Sequence, residues 1–143
     1  MQAANTTPLR HAYTLWAPFY DILLGASAIH AARKRSLALL GEWTEKKILL
    51  AGIGTGLDIP ILPKGAHYTG IDITPAMLGR AQHSARTCGT TMDLLPGNAM
   101  QLAFADEAFD RVIMHLILAV VPDPQLALTE AARVLKPGGE ILI

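Results

Sequence analysis

A single cysteine, Cys88, stands in this chain. It excludes an internal disulfide and is compatible with a reducing compartment. No neighbouring pattern marks it as a nucleophile. Neither sign of charge is in excess, because twelve basic and twelve acidic residues cancel. A nucleic-acid surface is therefore not signalled, since such surfaces carry a basic surplus. The basic triplet Arg33-Lys34-Arg35 reads as a solvated helix face. A long apolar run is also missing. The stretch Val112–Val121 is broken by His115 and covers ten residues, whereas a membrane helix needs about 20. Met1-Gln2-Ala3-Ala4-Asn5 lacks the charged and apolar regions of a secretion signal. These absences lead us to expect a cytoplasmic protein with no transmembrane segment and no nucleic-acid partner. The 143 residues suffice for one domain, and 51% of them are apolar, enough for a compact core.

What the chain does hold is concentrated at one place. Ile48-Leu49-Leu50-Ala51 runs straight into Gly52-Ile53-Gly54-Thr55-Gly56. An uninterrupted apolar run is the mark of a parallel strand buried on both faces. Glycines directly after it let backbone approach a ligand closely. Asp72 closes a second apolar strand twenty residues after Gly52, the spacing at which a carboxylate takes the hydroxyls of a ribose. Leu57 stands where a dinucleotide loop needs Gly or Ala, and no Lys or Arg lies between Lys47 and Lys64. The loop thus offers no side-chain cation to a pyrophosphate. A phosphate-free nucleoside ligand fits, and S-adenosylmethionine is one.

The rest of the chain alternates strands and helices. Residues 26–40 have helical spacing and stop at Gly41. Strands are expected at Lys47–Ala51, His67–Ile71, Thr91–Leu95 and Arg111–Leu116, with a fifth beginning at Glu140. Thr74 with Pro75 starts one helix, and Asp123 or Pro124 starts another that reaches Leu135. Between Gly56 and Gly65 only a short helix is allowed by Pro60 and Pro63. Such alternation predicts an α/β doubly wound parallel sheet in the order 3-2-1-4-5. Residues 1–45 form a helical N-terminal segment, and residues 46–143 a Rossmann-like core in one domain. Ligands of such sheets lie beyond the carboxyl ends of the strands. Gly52, Gly54, Gly56, Asp72, Asn98 and His115 are expected to converge there, with Ile73 and Met77 against the adenine.

Five segments together resemble class I S-adenosylmethionine-dependent methyltransferases, in the subgroup of quinone-biosynthesis C-methyltransferases and bacterial phospholipid N-methyltransferases. They are Tyr13–Asp21, Gly52–Gly56, Gly70–Leu78, Gly97-Asn98-Ala99 with Phe109-Asp110, and Arg133–Gly139. The resemblance implies S-adenosylmethionine as cofactor and a small-molecule methyl acceptor, with a lipid or quinone precursor favoured by the apolar N-terminal segment. It implies adenine contacts from Asn98 and Ala99. It also implies an N-terminal lid carrying Tyr13 and Tyr20, whose rings suit a sulfonium. Two residues depart from the pattern. Leu50 occupies a position that is usually acidic, and Asn98 one that is usually Asp. Relative to the family the chain also lacks the helix and strand pair that follow strand five. The unpaired edge left there predicts homodimer formation. No metal is expected and no general base is assigned. His11, His30 and His115 qualify by type alone, with no second group spaced to orient them. The alternatives are a cofactor binder without turnover and a nicotinamide-dependent oxidoreductase.

Overall fold

The computed structural model describes residues 27–143. The segment carrying Tyr13 and Tyr20 lies outside the described residues. The elements are α1 (Ser27–Ala38), β1 (Lys47–Ala51), a 3-10 turn (Ile59–Ile61), β2 (His67–Asp72), α2 (Pro75–Cys88), β3 (Met92–Pro96) and β4 (Phe109–Ile113). A second 3-10 turn (Ile117–Ala119), α3 (Pro124–Val134) and β5 (Leu135–Leu142) follow. The five strands form one sheet in the expected order β3-β2-β1-β4-β5, with every pair parallel.

β1 lies at the centre, and its composition follows from that place. Ile48, Leu49 and Leu50 are all but fully buried. Alternate residues point to opposite faces. Ile48 and Leu50 join a cluster with Leu37 of α1 and Ala81 and Ala85 of α2. Leu49 and Ala51 join a second cluster with Ala127, Ala131 and Val134 of α3. Alanines at these contacts let both helices sit close to the sheet.

The helix ends are set locally. Asp123 Oδ1 accepts from Leu126 N at 3.0 Å and starts α3. Gly89, at φ 65°, ends α2. Thr74 occupies the cap position of α2 but makes no side-chain cap bond. Instead its own N–H donates to Asp72 Oδ1 at 2.9 Å.

Three expectations are corrected. β4 stops at Ile113 instead of Leu116, because Leu116 takes the left-handed region at φ 62° and turns the chain. α3 ends at Val134, and β5 begins at Leu135 instead of Glu140. Leu135 pairs with Phe109, and the Lys136–Gly139 stretch is then a register-shifting bulge inside the strand. Arg33 is not on a solvated face but is 8% exposed. Among the described residues no helix is long and apolar enough to cross a membrane.

A second buried cation ties the base of the sheet together. Arg111 of β4 lies 4.9 Å from the Trp43 ring centroid, bonds Glu140 Oε1 of β5 at 3.2 Å and donates to the Leu40 carbonyl after α1.

Leu49→Ala is expected to cost about 2–5 kcal/mol, since the void would lie between the sheet and α3. Urea unfolding should show a lower midpoint with an unchanged slope.

Candidate functional site

The glycine loop is hung from the neighbouring strand. Gly52 N and Ile53 N both donate to the Ile71 carbonyl, at 3.0 and 2.9 Å. At Gly52 (φ 73°) a Cβ would stand 2.4 Å from Ile117 Cδ1, so only glycine fits there. Gly56 serves a different purpose. A Cβ there would meet Ile59 Cδ1 at 2.6 Å and the Ala81 backbone at 3.0 Å. Gly56 therefore lets the loop press on α2, and it does not line the cavity that Gly52 and Gly54 border.

Asp72 closes β2 beside this loop. Its Oδ2 accepts from Gly54 N at 3.0 Å and its Oδ1 from Thr74 N at 2.9 Å. The residue is 9% exposed. Burial pushes its carboxyl above the usual aspartate range, opposed by the backbone N–H bonds of Thr74, Gly54 and Ile73. An ionised carboxylate offers about four acceptor sites. With the Gly54, Thr74 and Ile73 amides on it, about one acceptor site remains.

The cavity is open on one side. Gly52, Gly54 and Asp72 form its floor, with Ile73 and Met77 beside them. One wall is Gly97–Met100, after β3. There Asn98 Oδ1 accepts from Met100 N at 2.9 Å, closing a local turn, and one carbonyl lone pair remains. The opposite wall, Ile117 with Val120, Val121 and Pro122, was not anticipated. Its signal is the apolar run that continues to Val121, past the strand expected at Arg111–Leu116.

The first wall is braced from α3. Glu130 Oε2 accepts from Leu102 N at 2.7 Å. Arg133 donates to the carbonyls of Phe104 and Leu102, each at 2.9 Å, and bonds Asp106 and Glu130.

With this geometry in view, a model of the methyltransferase domain family matches residues 49–143. The chain belongs to that family. It is 35% identical over 133 residues to the phosphatidylethanolamine N-methyltransferase of Cereibacter sphaeroides, covering 92% of this chain and 64% of that protein. It is 36% identical over 134 residues to the demethylmenaquinone methyltransferase of Thermus thermophilus, covering 89% and 60%. A solved structure from Thermotoga maritima is described as a SAM-dependent methyltransferase, possible histamine N-methyltransferase. It superposes with TM-score 0.71 at 26% identity, covering 92% of this chain and 58% of that one. The chain spans about three fifths of the length of these relatives. Family and fold imply S-adenosylmethionine as the cofactor.

The methyltransferase domain fits that ligand on its own evidence. A buried carboxylate bordering the cavity suits a ribose hydroxyl, and the Ile73, Met77 and Ala99 surfaces suit a flat base. Leu50 is 1% exposed within the core, so no acidic group stands two residues before the first glycine.

His115 departs from its expected place. It does not line the cavity bordered by Gly52, Gly54 and Asp72. Its ring turns to the other side of the glycine loop, where a small polar cavity is bordered by Arg33, Gly52, Gly54, Asp58 and His115. Nδ1 lies 3.0 Å from each oxygen of Asp58, and Nε2 lies 2.9 Å from Ser36 Oγ. Asp58 also pairs with Arg33 Nη1 at 3.4 Å. Sequence reasoning missed Asp58, Arg33 and Ser36 because nothing in their spacing announces them. The orienting group sought for His115 thus exists. Both ring nitrogens are engaged within this cluster.

Gly56→Ala in this methyltransferase domain is expected to lower stability by about 1–3 kcal/mol through overpacking on Ala81. Calorimetric unfolding should show the loss. Ligand affinity, measured well below the new midpoint, should fall as well, because the added methyl lifts the loop off α2.

Proposed function

We propose that this domain binds S-adenosylmethionine over the carboxyl ends of β1, β2 and β3 and transfers its methyl group to a small, largely apolar acceptor. The observation that carries the reading is the Asp72 carboxylate, held by the Gly54 and Thr74 amides at the floor of a cavity with apolar walls. In this reading Asp72 accepts from the ribose hydroxyls. Gly52 and Gly54 admit the ligand against bare backbone, Ile73, Met77 and Ala99 pack on the adenine, and Asn98 accepts from its amino group. The bound cofactor supplies a methyl group activated on a sulfonium, which leaves a neutral thioether after in-line displacement.

The chain's own contribution is to hold the reacting partners aligned and to exclude water. Such positioning can be worth about 7–11 kcal/mol. An apolar acceptor, a lipid or quinone precursor, is supported by two things. One is the Ile117–Pro122 wall, and the other is the named acceptors of the phosphatidylethanolamine and demethylmenaquinone relatives.

Isothermal titration of the full chain with S-adenosylmethionine should give saturable binding. A labelled methyl group should then pass to an organic-soluble product when phosphatidylethanolamine vesicles or a demethylmenaquinone analogue is supplied. Label found only in water-soluble product would overturn the apolar acceptor. Binding with no transfer to any acceptor would make the domain a binder without turnover.

Asp72→Asn should weaken binding about 10- to 150-fold, the loss of about 1.5–3 kcal/mol for hydrogen bonds to a charged group. The pH dependence has a definite sign. Ribose hydroxyls donate to the ionised carboxylate, and the Asp72 pKa is raised by burial. Affinity should therefore fall as pH drops, starting above the range of an ordinary aspartate near about 3.9. Titrations across a pH series in wild type and Asp72→Asn should show this slope only in the wild type.

A further inference from the structure

The wall beside the Asp72 floor belongs to an irregular stretch between β3 and β4, and its own bonds do not fix where it stands. At its start Gly97 N donates to the Asp72 carbonyl at 3.0 Å, extending the β2–β3 ladder by one bond. The next residues close on themselves. Asn98 Oδ1 accepts from Met100 N, and the Asn98 carbonyl from Gln101 N, each at 2.9 Å. These two bonds set the shape of the turn but not its stance on the sheet.

The outward tie comes from α3. Leu102 N donates to Glu130 Oε2 at 2.7 Å, and the carbonyls of Leu102 and Phe104 accept from Arg133 Nη2 and Nη1, each at 2.9 Å. Glu107 N donates to the Arg133 carbonyl at 3.1 Å. Four backbone groups of the stretch thus converge on two residues one helical turn apart. Apolar packing takes the same route, because Ala99, Met100 and Leu102 share a cluster with Ala127 and Ala131 of α3. The helix runs directly into β5 at Leu135, so the anchor is fixed to the sheet itself.

Arg133 is suited to this place by its shape. A guanidinium carries five N–H donors in a planar fork. Here they meet Glu130 Oε1 and Oε2, Asp106 Oδ1 and the Leu102 and Phe104 carbonyls, five acceptors at 2.8 to 3.0 Å. The bond from Arg133 holds the Glu130 carboxyl below the usual glutamate range, and the bonds to Glu130 and Asp106 raise the proton affinity of the guanidinium. Neither Glu130 nor Arg133 lines the cavity.

The stance of the wall decides what Asn98 can read. Its Oδ1 keeps one lone pair, to which an adenine amino group donates. A base with an oxygen in place of that amino group brings two acceptors together, a mismatch that a polar site rejects strongly. Such readout holds only at hydrogen-bond distance. Given the cofactor reading above, on which this step rests, we propose that Arg133, oriented by Glu130, is the positioning residue that makes the domain selective for an adenine-bearing donor. It acts through the Leu102 and Phe104 carbonyls and never touches the ligand.

Titration calorimetry on the wild-type chain comes first. S-adenosylhomocysteine and S-inosylhomocysteine differ at one edge of the base, an amino group against an oxygen. The wild type should bind the adenosyl ligand at least about tenfold tighter, the discrimination of one hydrogen bond against the clash that replaces it. In Arg133→Gln that ratio should fall to about two, with the inosyl affinity itself changed by less than about twofold. Arg133→Lys, with three donors and no fork, should give a ratio between these values. An equal loss for both ligands, or an unchanged ratio, would reduce Arg133 to a structural pin and reject the proposal. Amide hydrogen exchange on the wild type tests the same point without a variant. The Met100, Gln101 and Leu102 amides should open as one unit, with protection within about tenfold of one another. Exchange of Met100 and Gln101 faster than that range allows would mean a turn that moves free of α3, and would equally reject it. If the wild type binds neither ligand, the cofactor reading itself fails, whereas equal binding of both leaves that reading standing and overturns only the selectivity.

Discussion

The Asp72 carboxylate receives backbone amides from two separate loops, Gly54 N on one oxygen and Thr74 N on the other. The glycine loop after β1 and the turn into α2 are thereby joined through one side chain. Gly52 N and Ile53 N, both on the Ile71 carbonyl, add a second clamp between the same strands. Burying that charge is unfavourable, and the raised proton affinity of the group records it. The cavity exists in its observed shape because these bonds offset the cost while leaving acceptor capacity unspent.

Everything else at the mouth of the sheet is arranged from further away. The Gly97–Met100 wall takes its position from Glu130 and Arg133 of α3, which fasten the segment that follows it. The opposite wall is set by Leu116, whose left-handed backbone ends β4 and sends Ile117 over Gly52. Packing on the two sheet faces is divided cleanly, with α1 and α2 on one and α3 on the other. Side chains that touch the cavity are thus positioned by bonds from side chains that do not.

Much of this was readable in the residues themselves. The apolar run of β1, the three glycines and Asp72 each report a local requirement: burial on both faces, backbone approach, a carboxylate at a strand tip. The strand order followed from the alternation of elements. Where reading failed, the cause was long-range. Gly56 looks like its two neighbours in sequence, and only the closeness of Ala81 separates its purpose from theirs. Arg33 sits in a basic triplet that suggests water. Its burial depends on Asp58, 25 residues away, and on a histidine beyond β4. The end of β4 was hidden because Leu116 is an unusual residue for a left-handed turn, and the start of β5 because a bulge at Lys136–Gly139 resembles a connection.

The alanine contacts of α2 have a consequence for how the domain can vary. Ala81 is in contact range of where any side chain at residue 56 would project, and it is fully buried against β1. The gap between that helix and the sheet therefore governs the height of the glycine loop. A bulkier residue at 81, remote from every atom of the cavity, would lift the loop and detune the grip of the floor. Selection on ligand affinity in this fold would then act on interior spacing as strongly as on the groups that line the opening.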